Sequence, residues 1–378
     1  MIGDFAIIPP EEAGAVLTID LDAYASNWRL LRDRAGGADC AAVVKANAYG
    51  IGIEMAVPKL LAAGCRTFYV AHLAEARRVR ALTGEAVIYV LNGFLPGTAP
   101  VYAAHGLRPV LGSRAEIDEW AGFAAAHPEA PPAAIHIDTG MNRLGLPPEE
   151  VEGVARTLPF TPALILTHLA SAEDRTDPSN ARQLADFTRL RGHFPEIPAS
   201  FCNSAGTFIE SVAAFDQIRA GVALYGANPT PGQPNPMREV VRLEARILQL
   251  RDVPDGAAAG YNGKWTARGP RRLATLSIGY ADGYLRSASG WDVKAGQGID
   301  AGIALVGGVA CPFAGSVSMD LIVIDVTDAP ADALARGKTV VMIGDGLSVD
   351  EVAARAGTIP YEILTSLGRR YARIYRNA

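Results

Sequence analysis

Short apolar runs alternate with segments of helical periodicity between residue 41 and about residue 220. The apolar runs are rich in Val, Ile and Ala, and their continuous apolar character is typical of parallel strands covered by helices. We predict eight strands, at 41–45, 66–71, 86–91, 108–111, 133–138, 162–168, 199–203 and 216–220. Helical patterns lie between them, for example at 74–82, 113–126 and 179–192.

The pattern changes after about residue 240. Segments with alternating apolar and polar positions become frequent, and Gly, Pro and Asp bound them. This alternation predicts a mainly antiparallel β domain. Helical patterns return only at 350–355 and 363–371. A proline-rich stretch, 228–237, lies just before the change and is typical of a linker.

Eight strands with intervening helices are the number needed for a closed (β/α)₈ barrel. A doubly wound open sheet is the alternative, but it usually has fewer strands and a glycine-rich turn after the first one. Here the first strand runs into VVKANAYGIG, where a lysine stands instead. We therefore predict an α/β fold, with an N-terminal TIM-type barrel over 14–240. A C-terminal mainly antiparallel β domain follows over 241–378, and residues 1–13 are expected to pack on it.

Composition narrows the classes of partner. The 35 basic and 40 acidic residues give a net charge of −5, so nucleic acids and anionic membranes are not expected partners. The four cysteines form no CxxC pair, which predicts buried free thiols in a reducing compartment and no metal site. The N-terminus lacks a signal-peptide pattern, and no apolar run reaches membrane-spanning length. We expect a soluble, cytoplasmic protein.

Several polar residues follow the predicted strands, at the end where barrel enzymes place their chemistry. They are Lys45, Arg143, His168, Asn203, Ser204 and Arg219. A lysine at the end of an apolar strand is desolvated, which lowers the pKa of its amine and favours Schiff-base chemistry. Taken alone, such a lysine is more commonly one that extends past the barrel rim into water.

The loops after the seventh and eighth strands read NSAG and RAGVALYG. These two loops are the usual phosphate site of such barrels. Small residues such as Gly221, next to Val222, let backbone N–H groups approach a phosphate, and Ser204 adds a hydroxyl. Each motif by itself equally describes an ordinary helix cap or turn. Their occurrence on both expected loops favours a phosphate site.

Seven motifs resemble those of the alanine racemases, in the same order, and YEIL near residue 361 continues the match. They are AVVKANAYG, DTGMNRLG, THLAS, NSAG, RAGVALYG, GYADG and SVSMD, between residues 41 and 320. The resemblance implies a pyridoxal phosphate (PLP) isomerase with an N-terminal barrel and a C-terminal β domain. It also implies interconversion of L- and D-alanine, supply of D-alanine for peptidoglycan, and a homodimer with shared active sites.

The resemblance also implies residue roles. Lys45 would hold the cofactor as a Schiff base and act as one catalytic base, and Tyr261 from the partner chain would be the second. A chain from Tyr261 through His168 to Arg219 would supply positive charge to a tyrosinate. Arg219 would face the pyridine nitrogen, and Arg143, Met319 and Tyr280 would serve the substrate. The remaining cofactor contacts would be Tyr49, His168, Asn203, Ser204, Gly221, Val222 and Tyr361.

Three positions depart from the family pattern. His136 stands where the family often has a lysine whose carbamate supports the arginine matched by Arg143. Imidazole cannot form such a carbamate, so a bound anion or His136 itself is left to support Arg143. Ile51 replaces a common histidine, and Asn262 stands where glycine is usual.

Alternative functions remain open from sequence. One is another PLP barrel activity, namely a broad-specificity or serine racemase or an amino-acid decarboxylase. Another is a PLP-binding carrier without turnover. The match at Tyr261 favours racemisation over decarboxylation, and the C-terminal domain argues against a single-domain carrier. The sequence does not decide the preference between alanine and serine.

Overall fold

The computed structural model describes residues 8–289 and 301–377. These divide into two compact units. One is Tyr24–Arg238, and the other combines the described residues before Tyr24 with those from Glu239 onward. In chain order, the strands are β1 (Ala15–Asp20), β2 (Asp39–Val43), β3 (Thr67–Val70), β4 (Val87–Val90), β5 (Arg108–Leu111), β6 (Ala134–His136), β7 (Leu164–Leu166), β8 (Ala199–Ser200), β9 (Gln217–Ala220), β10 (Val241–Val253), β11 (Ala258–Ala259), β12 (Trp265–Thr266), β13 (Arg271–Leu276), β14 (Ile303–Val306), β15 (Val309–Pro312), β16 (Ile322–Asp325), β17 (Thr339–Ile343) and β18 (Ala372–Arg376).

The right-handed α-helices alternate with the strands of the first unit and are sparse in the second. They are Leu21–Arg34, Ile53–Ala63, Leu73–Leu82, Ala99–His105, Arg114–Ala126, Pro148–Thr157, Pro178–Arg191, Val349–Ala356 and Pro360–Ser366. Local capping fixes several of their starts. The Ser113 hydroxyl accepts the Glu116 N–H, and the Asp177 carboxylate accepts the Ser179 N–H. Within the described residues, no helix is long and apolar enough to cross a membrane.

The first unit is a closed barrel of eight parallel strands, which confirms the predicted fold class. The strands pair in the order β8-β7-β6-β5-β4-β3-β2-β9. The barrel closes between β8 and β9, where the Asp216 N–H donates to the Ala199 carbonyl (3.0 Å) and the Arg219 N–H to the Cys202 carbonyl (2.9 Å). Because β2 pairs in parallel with β9, the loops after these two strands emerge side by side at one end of the barrel.

The second unit contains an eight-stranded sheet in the order β15-β14-β17-β10-β1-β18, with β13 joining β10 to β16. Its pairs are antiparallel except β1 with β18, which confirms the predicted mainly antiparallel character. Strand β1 falls inside the segment 14–240, yet it pairs with β10 and β18. Its residues AVLTI are all buried, so their pattern is the same as that of a barrel strand.

The C-terminal segment differs from its helical pattern. The helix predicted over 363–371 ends at Ser366, and β18 follows. A Cβ atom on Gly368 would lie 2.4 Å from the carbonyl oxygen of Asp282, and the Gly368 N–H donates to that same oxygen at 3.0 Å. This close backbone contact requires glycine and ends the helix. The four cysteines, which are all described, are buried and free, as predicted.

Candidate active site

Lys45 lies two residues past β2 and is half-buried. Burial lowers the pKa of its amine, and the positive charge of Arg143 lowers it further, while Glu75 raises it. An amine with a lowered pKa is more often unprotonated, which makes it a better nucleophile and base. The predicted desolvation of Lys45 is therefore present in the structure.

The segment after β2 is a left-handed helical turn, Lys45–Tyr49. Four successive residues that are not glycine, 46–49, have φ between +46° and +57°. Two backbone bonds close the turn, from the Ala48 N–H to Val44 and from the Gly50 N–H to Ala46, both at 2.9 Å. Left-handed helix costs roughly 1–2 kcal/mol for each residue with a Cβ atom. Such strain persists only where surrounding contacts fix the conformation.

The turn brings Tyr49 to the loop after β9. The Tyr49 ring is buried and stacks on Tyr225 with ring centroids 4.5 Å apart. A Cβ atom on Gly221 would lie only 3.0 Å from the Tyr49 hydroxyl and 3.8 Å from the Ser204 hydroxyl. The segment that carries Lys45 therefore touches the loop predicted to bind phosphate.

Ser204 organises that loop. Its hydroxyl oxygen accepts the N–H groups of Gly221 (2.8 Å) and Ala223 (3.3 Å). Val222 is buried between them and begins a single 3₁₀ turn. Asn203 caps the neighbouring turn, because its side-chain oxygen accepts the Gly206 N–H at 2.8 Å. The Tyr49 and Ser204 hydroxyls, next to the backbone of this loop and a glycine that leaves space, fit a phosphate.

Arg219 lies inside the barrel with 4% of its surface exposed. It donates to the carbonyl (3.0 Å) and hydroxyl (2.6 Å) of Ser200 and to the Thr167 carbonyl (2.5 Å). It also lies 3.4 Å from Nδ1 of His168. Because a guanidinium only donates, Nδ1 must be the acceptor, and the imidazole hydrogen belongs on Nε2.

The charge state of His168 follows from its surroundings. Burial, the largest cause, and the charges of Arg219, Arg143 and Lys45 together lower the pKa of His168 to about 3. The imidazole is therefore neutral at physiological pH. A neutral ring that accepts from Arg219 on one side presents a polarised N–H on the other side.

The loop after β6 carries Arg143. Asp138 holds this loop, because its carboxylate accepts the N–H groups of Gly140, Met141 and Asn142, each at 2.9 Å. Asn142 itself has φ +53°, a left-handed position that asparagine tolerates. Arg143 is exposed, and no hydrogen bond or ion pair to its guanidinium is found within residues 8–289 and 301–377.

His136 ends β6 and is half-buried. Its pKa is lowered to about 4, chiefly by burial; Arg219 and Arg143 contribute to the lowering, and Asp138 opposes it. The imidazole is therefore neutral at physiological pH and offers Arg143 no negative charge. A carbamylated lysine would carry a negative charge on a longer side chain, and the neutral His136 side chain differs from it in both respects.

In the second unit, three predicted residues are exposed and lie on adjacent loops. The exposed fractions are 69% for Tyr261, 41% for Tyr280 and 54% for Met319. The Tyr280 N–H donates to the Ser318 carbonyl at 3.0 Å, and the Ala281 N–H to the Met319 carbonyl at 2.9 Å. Tyr361 lies apart in chain order, half-buried in the first turn of helix Pro360–Ser366.

The loop of Tyr261 joins this group. A Cβ atom on Gly260 would lie 3.7 Å from the Ser316 nitrogen, so the loop packs beside the SVSMD segment. Asn262 has φ +62°, which explains why glycine would suit that position. The three exposed side chains thus lie on neighbouring loops of this unit.

Glu75 also belongs to the site, although no motif in the sequence indicated it. Glu75 accepts the Ala46 N–H at 2.6 Å and so contacts the turn of Lys45. It stands at the third position of helix Leu73–Leu82, where a glutamate completes a capping box. The usual Ser or Thr of that motif is replaced here by His72, which hides the pattern.

Comparison with known proteins gives a consistent result over the whole chain. Residues 19–229 match the family model "Alanine racemase, N-terminal domain", and residues 240–375 match "Alanine racemase, C-terminal domain". An alanine racemase of Methylobacterium nodulans is 59% identical over 365 residues, which cover 96% of each chain.

Two further relatives add detail. A catabolic alanine racemase of Mesorhizobium japonicum is 44% identical, covering 96% of this chain and 93% of its own. A crystal structure of alanine racemase from Bartonella henselae, described with covalently bound pyridoxal phosphate, matches with a TM-score of 0.90. It is 39% identical and covers 96% of this chain and 100% of that one.

Proposed function

The chain belongs to the alanine racemase family of isomerases, and on that premise we propose that it interconverts L- and D-alanine with PLP as its cofactor. The observation that carries the proposal is the contact between the Lys45 turn and the glycine loop. A Cβ atom on Gly221 would lie 3.0 Å from the Tyr49 hydroxyl, four residues after the lysine. The Bartonella henselae relative with covalently bound cofactor supports the same assignment.

The donor set of the barrel fits the cofactor. Ser204, Tyr49 and the N–H groups of Gly221 and Val222 would hold its phosphate, together with Tyr361. Arg219 would donate to the ring nitrogen, and His168 and Asn203 would line the site. When bound to an amino acid, the cofactor withdraws electrons from Cα and acidifies the α-proton.

The chain's own residues would move that proton. Lys45, whose pKa is lowered by burial, would accept a proton on one face of the substrate. Tyr261 of the partner subunit would act on the opposite face, so that the substrate need not turn over. Arg143 and Met319 would hold the carboxylate, and Tyr280 would complete the substrate site. The exposure of Tyr261, Tyr280 and Met319 on neighbouring loops supports a homodimer with shared sites.

The state of His168 supports a tyrosine as the second base. Free tyrosine has a pKa near 10, so a tyrosinate needs a nearby donor or positive charge. Neutral His168 accepts from Arg219 and therefore presents its Nε2–H for donation. A chain from Tyr261 through His168 to Arg219 would connect the phenolate to a buried guanidinium.

The remaining parts of the proposal concern context. We propose a cytoplasmic enzyme that supplies D-alanine for peptidoglycan; its relatives include alanine racemases named catabolic and one named biosynthetic. The limits of the cofactor-binding and β domains, 14–240 and 241–378, are proposed on the same footing, except that β1 belongs to the sheet of the β domain.

The test is to incubate the protein with L-alanine in D₂O and to analyse product chirality and α-deuterium. Racemic, α-deuterated alanine is expected, and the Lys45→Ala variant should give none. Lys59→Ala, on helix Ile53–Ala63, is the control for loss of a lysine. Borohydride reduction followed by mass spectrometry should find the cofactor on the Lys45 peptide. Release of CO₂ and an amine would indicate a decarboxylase, and unchanged alanine would indicate a carrier. Faster conversion of L-serine would indicate a serine racemase.

A further inference from the structure

The Glu75 carboxylate connects the segments that follow two neighbouring barrel strands. One oxygen accepts the Ala46 N–H at 2.6 Å, directly after Lys45. The other oxygen accepts the N–H groups of Ala71 (3.0 Å) and His72 (3.2 Å), directly after β3. Strands β2 and β3 pair in parallel, so a single carboxylate ties together their two ends.

The Lys45 turn depends on contacts of this kind. Its residues 46–49 are left-handed, although none of them is glycine. Early N–H groups of a helical turn have no partner within the turn itself. Glu75 accepts the one from Ala46, at the residue where the left-handed conformation begins. Without that acceptor, the positive φ values after Lys45 would be less stabilised.

A second contact comes from the same helix. Arg78, three residues after Glu75, donates to the side-chain oxygen of Asn47 at 2.6 Å and pairs with Glu54 at 2.8 Å. The Asn47 oxygen also accepts the Ile53 N–H at 3.3 Å. Arg78 and Glu54 are exposed, so this contact is expected to be weaker than that of Glu75.

Resting on the proposed role of Lys45, we propose that Glu75 is a positioning residue. Its carboxylate fixes the left-handed turn and thereby the direction in which the Lys45 side chain leaves the backbone. The negative charge of Glu75 also raises the pKa of the Lys45 amine, whereas burial and Arg143 lower it. It acts through Ala46 and needs no contact with the substrate.

The chain offers a matched control in Glu116. It stands at the same third position of helix Arg114–Ala126, and its carboxylate accepts the Gly112 N–H at 2.7 Å after β5. It also lies 3.3 Å from the Ser113 hydroxyl. Its capping role is the same, but its bonds go to a loop other than that of Lys45.

The experiment compares Glu75→Gln, Glu75→Asp and Glu116→Gln with the unmodified holoenzyme. Hydrogen–deuterium exchange of peptides covering 46–50 should be at least about tenfold faster in both Glu75 variants and unchanged in Glu116→Gln. The kcat for alanine should fall about 10- to 100-fold, with KM changed less than about threefold, because misplacement of a reacting group affects the rate. Aspartate keeps the charge but is one CH₂ shorter, so it should not rescue the activity.

The readouts separate the possible failures. Equal exchange and equal kcat in Glu75→Gln and Glu116→Gln would overturn the positioning role, and so would full rescue by aspartate. Should the Glu75 variants fail to fold, Arg78→Ala at the exposed second contact must show faster exchange at 46–50, or the idea is lost. If the unmodified protein does not racemise alanine, yet exchange at 46–50 rises only in the Glu75 variants, the proposed function fails and the positioning role stands.

Discussion

The Tyr49 hydroxyl lies directly beside Gly221 in the candidate cofactor site. A Cβ atom on Gly221 would lie 3.0 Å from that hydroxyl, closer than carbon and oxygen normally approach without a shift. The same atom would lie 3.8 Å from the Ser204 hydroxyl, which already accepts two N–H groups of the loop. Any side chain at this position therefore displaces the group predicted to hold the phosphate.

Gly221→Ala should weaken cofactor binding. The added methyl group pushes Tyr49 or the loop away, and overpacking of this kind costs about 1–3 kcal/mol. The Kd for PLP should therefore rise about 10- to 100-fold, measured by absorbance titration of the apoenzyme. Gly221 has a negative φ of −119°, so the substitution does not place a side chain on a left-handed backbone.

Two variants control this prediction. Gly153→Ala, on helix Pro148–Thr157, places a methyl group in open space and should leave the Kd unchanged. In a Tyr49→Phe background the hydroxyl is gone, so Gly221→Ala should cost less than it does alone. A cost that is the same in both backgrounds would show that the clash with Tyr49 is not the cause.

Asp138 should control the affinity for substrate through the loop of Arg143. Its carboxylate accepts three N–H groups at 2.9 Å, and Asp138→Ala leaves all three without that acceptor. We expect a stability loss of about 1.5–3 kcal/mol, in the range for a hydrogen bond to a charged group. The KM for alanine should rise about tenfold, because Arg143 would no longer be held in place.

Asp174 provides a matched control for Asp138. It accepts the N–H and hydroxyl of Thr176 in a different exposed loop. Asp174→Ala should leave KM unchanged, as measured by a coupled assay of D-alanine formation. If both aspartate variants raise KM alike, the effect is a general loss of stability and the link to Arg143 is wrong.

The two buried histidines predict how stability depends on pH. The pKa values of His136 and His168 fall to about 4 and about 3, from 6.5, chiefly because of burial. The unfolded chain then binds more protons than the folded one as the pH falls below 6.5. The free energy of unfolding should be flat with respect to these groups above that pH. Below it, the free energy should decrease by about 1.4 kcal/mol per pH unit for each histidine.

Urea unfolding of the holoenzyme between pH 7 and pH 5, at saturating cofactor, measures this slope. His136→Asn and His168→Asn should each make the slope shallower, since one proton-binding site is removed. His127→Asn changes an exposed histidine and should not alter it. A slope that is unchanged in both buried variants would mean that carboxylates or cofactor release control the acid side.

The barrel was predictable because each strand can be recognised from its own residues, without knowledge of its neighbours. Runs such as 86–91 are apolar, short and bounded by turn residues, and the structure places β4 there at Val87–Val90. The polar residues of the site followed from one rule, that chemistry lies after the strands. That rule needs only the positions of the strands, and it still works when a strand boundary is wrong by one or two residues.

Other features depend on partners that are distant in sequence. Nothing within AVLTI indicates that β1 pairs with β10, more than 200 residues later, rather than with a barrel strand. The left-handed turn at 46–49 contains no glycine, so local propensity argues against it. Glu75 stabilises that turn from another helix, and a single sequence does not reveal this tertiary contact.

Mixing two inactive variants should restore activity if Tyr261 serves the neighbouring site. Lys45→Ala and Tyr261→Phe should each lose nearly all racemase activity in isolation. A heterodimer would contain one site with both substitutions and one with neither. With random exchange of subunits, half of the dimers are mixed, and about a quarter of the full activity should return.

Tyr261 is 69% exposed, so Tyr261→Phe should leave Tm nearly unchanged and its loss of activity cannot be attributed to unfolding. The matched mixture of Lys45→Ala with Arg219→Ala is the control. Lys45 follows β2, and Arg219 lies on β9, which pairs with β2. Both residues therefore belong to the barrel of a single chain. In that mixture each barrel carries one substitution, and no activity should return. No recovery with Tyr261→Phe would place Tyr261 in the site of its own chain. Recovery in the control would mean that mixing restores activity for a reason other than shared sites.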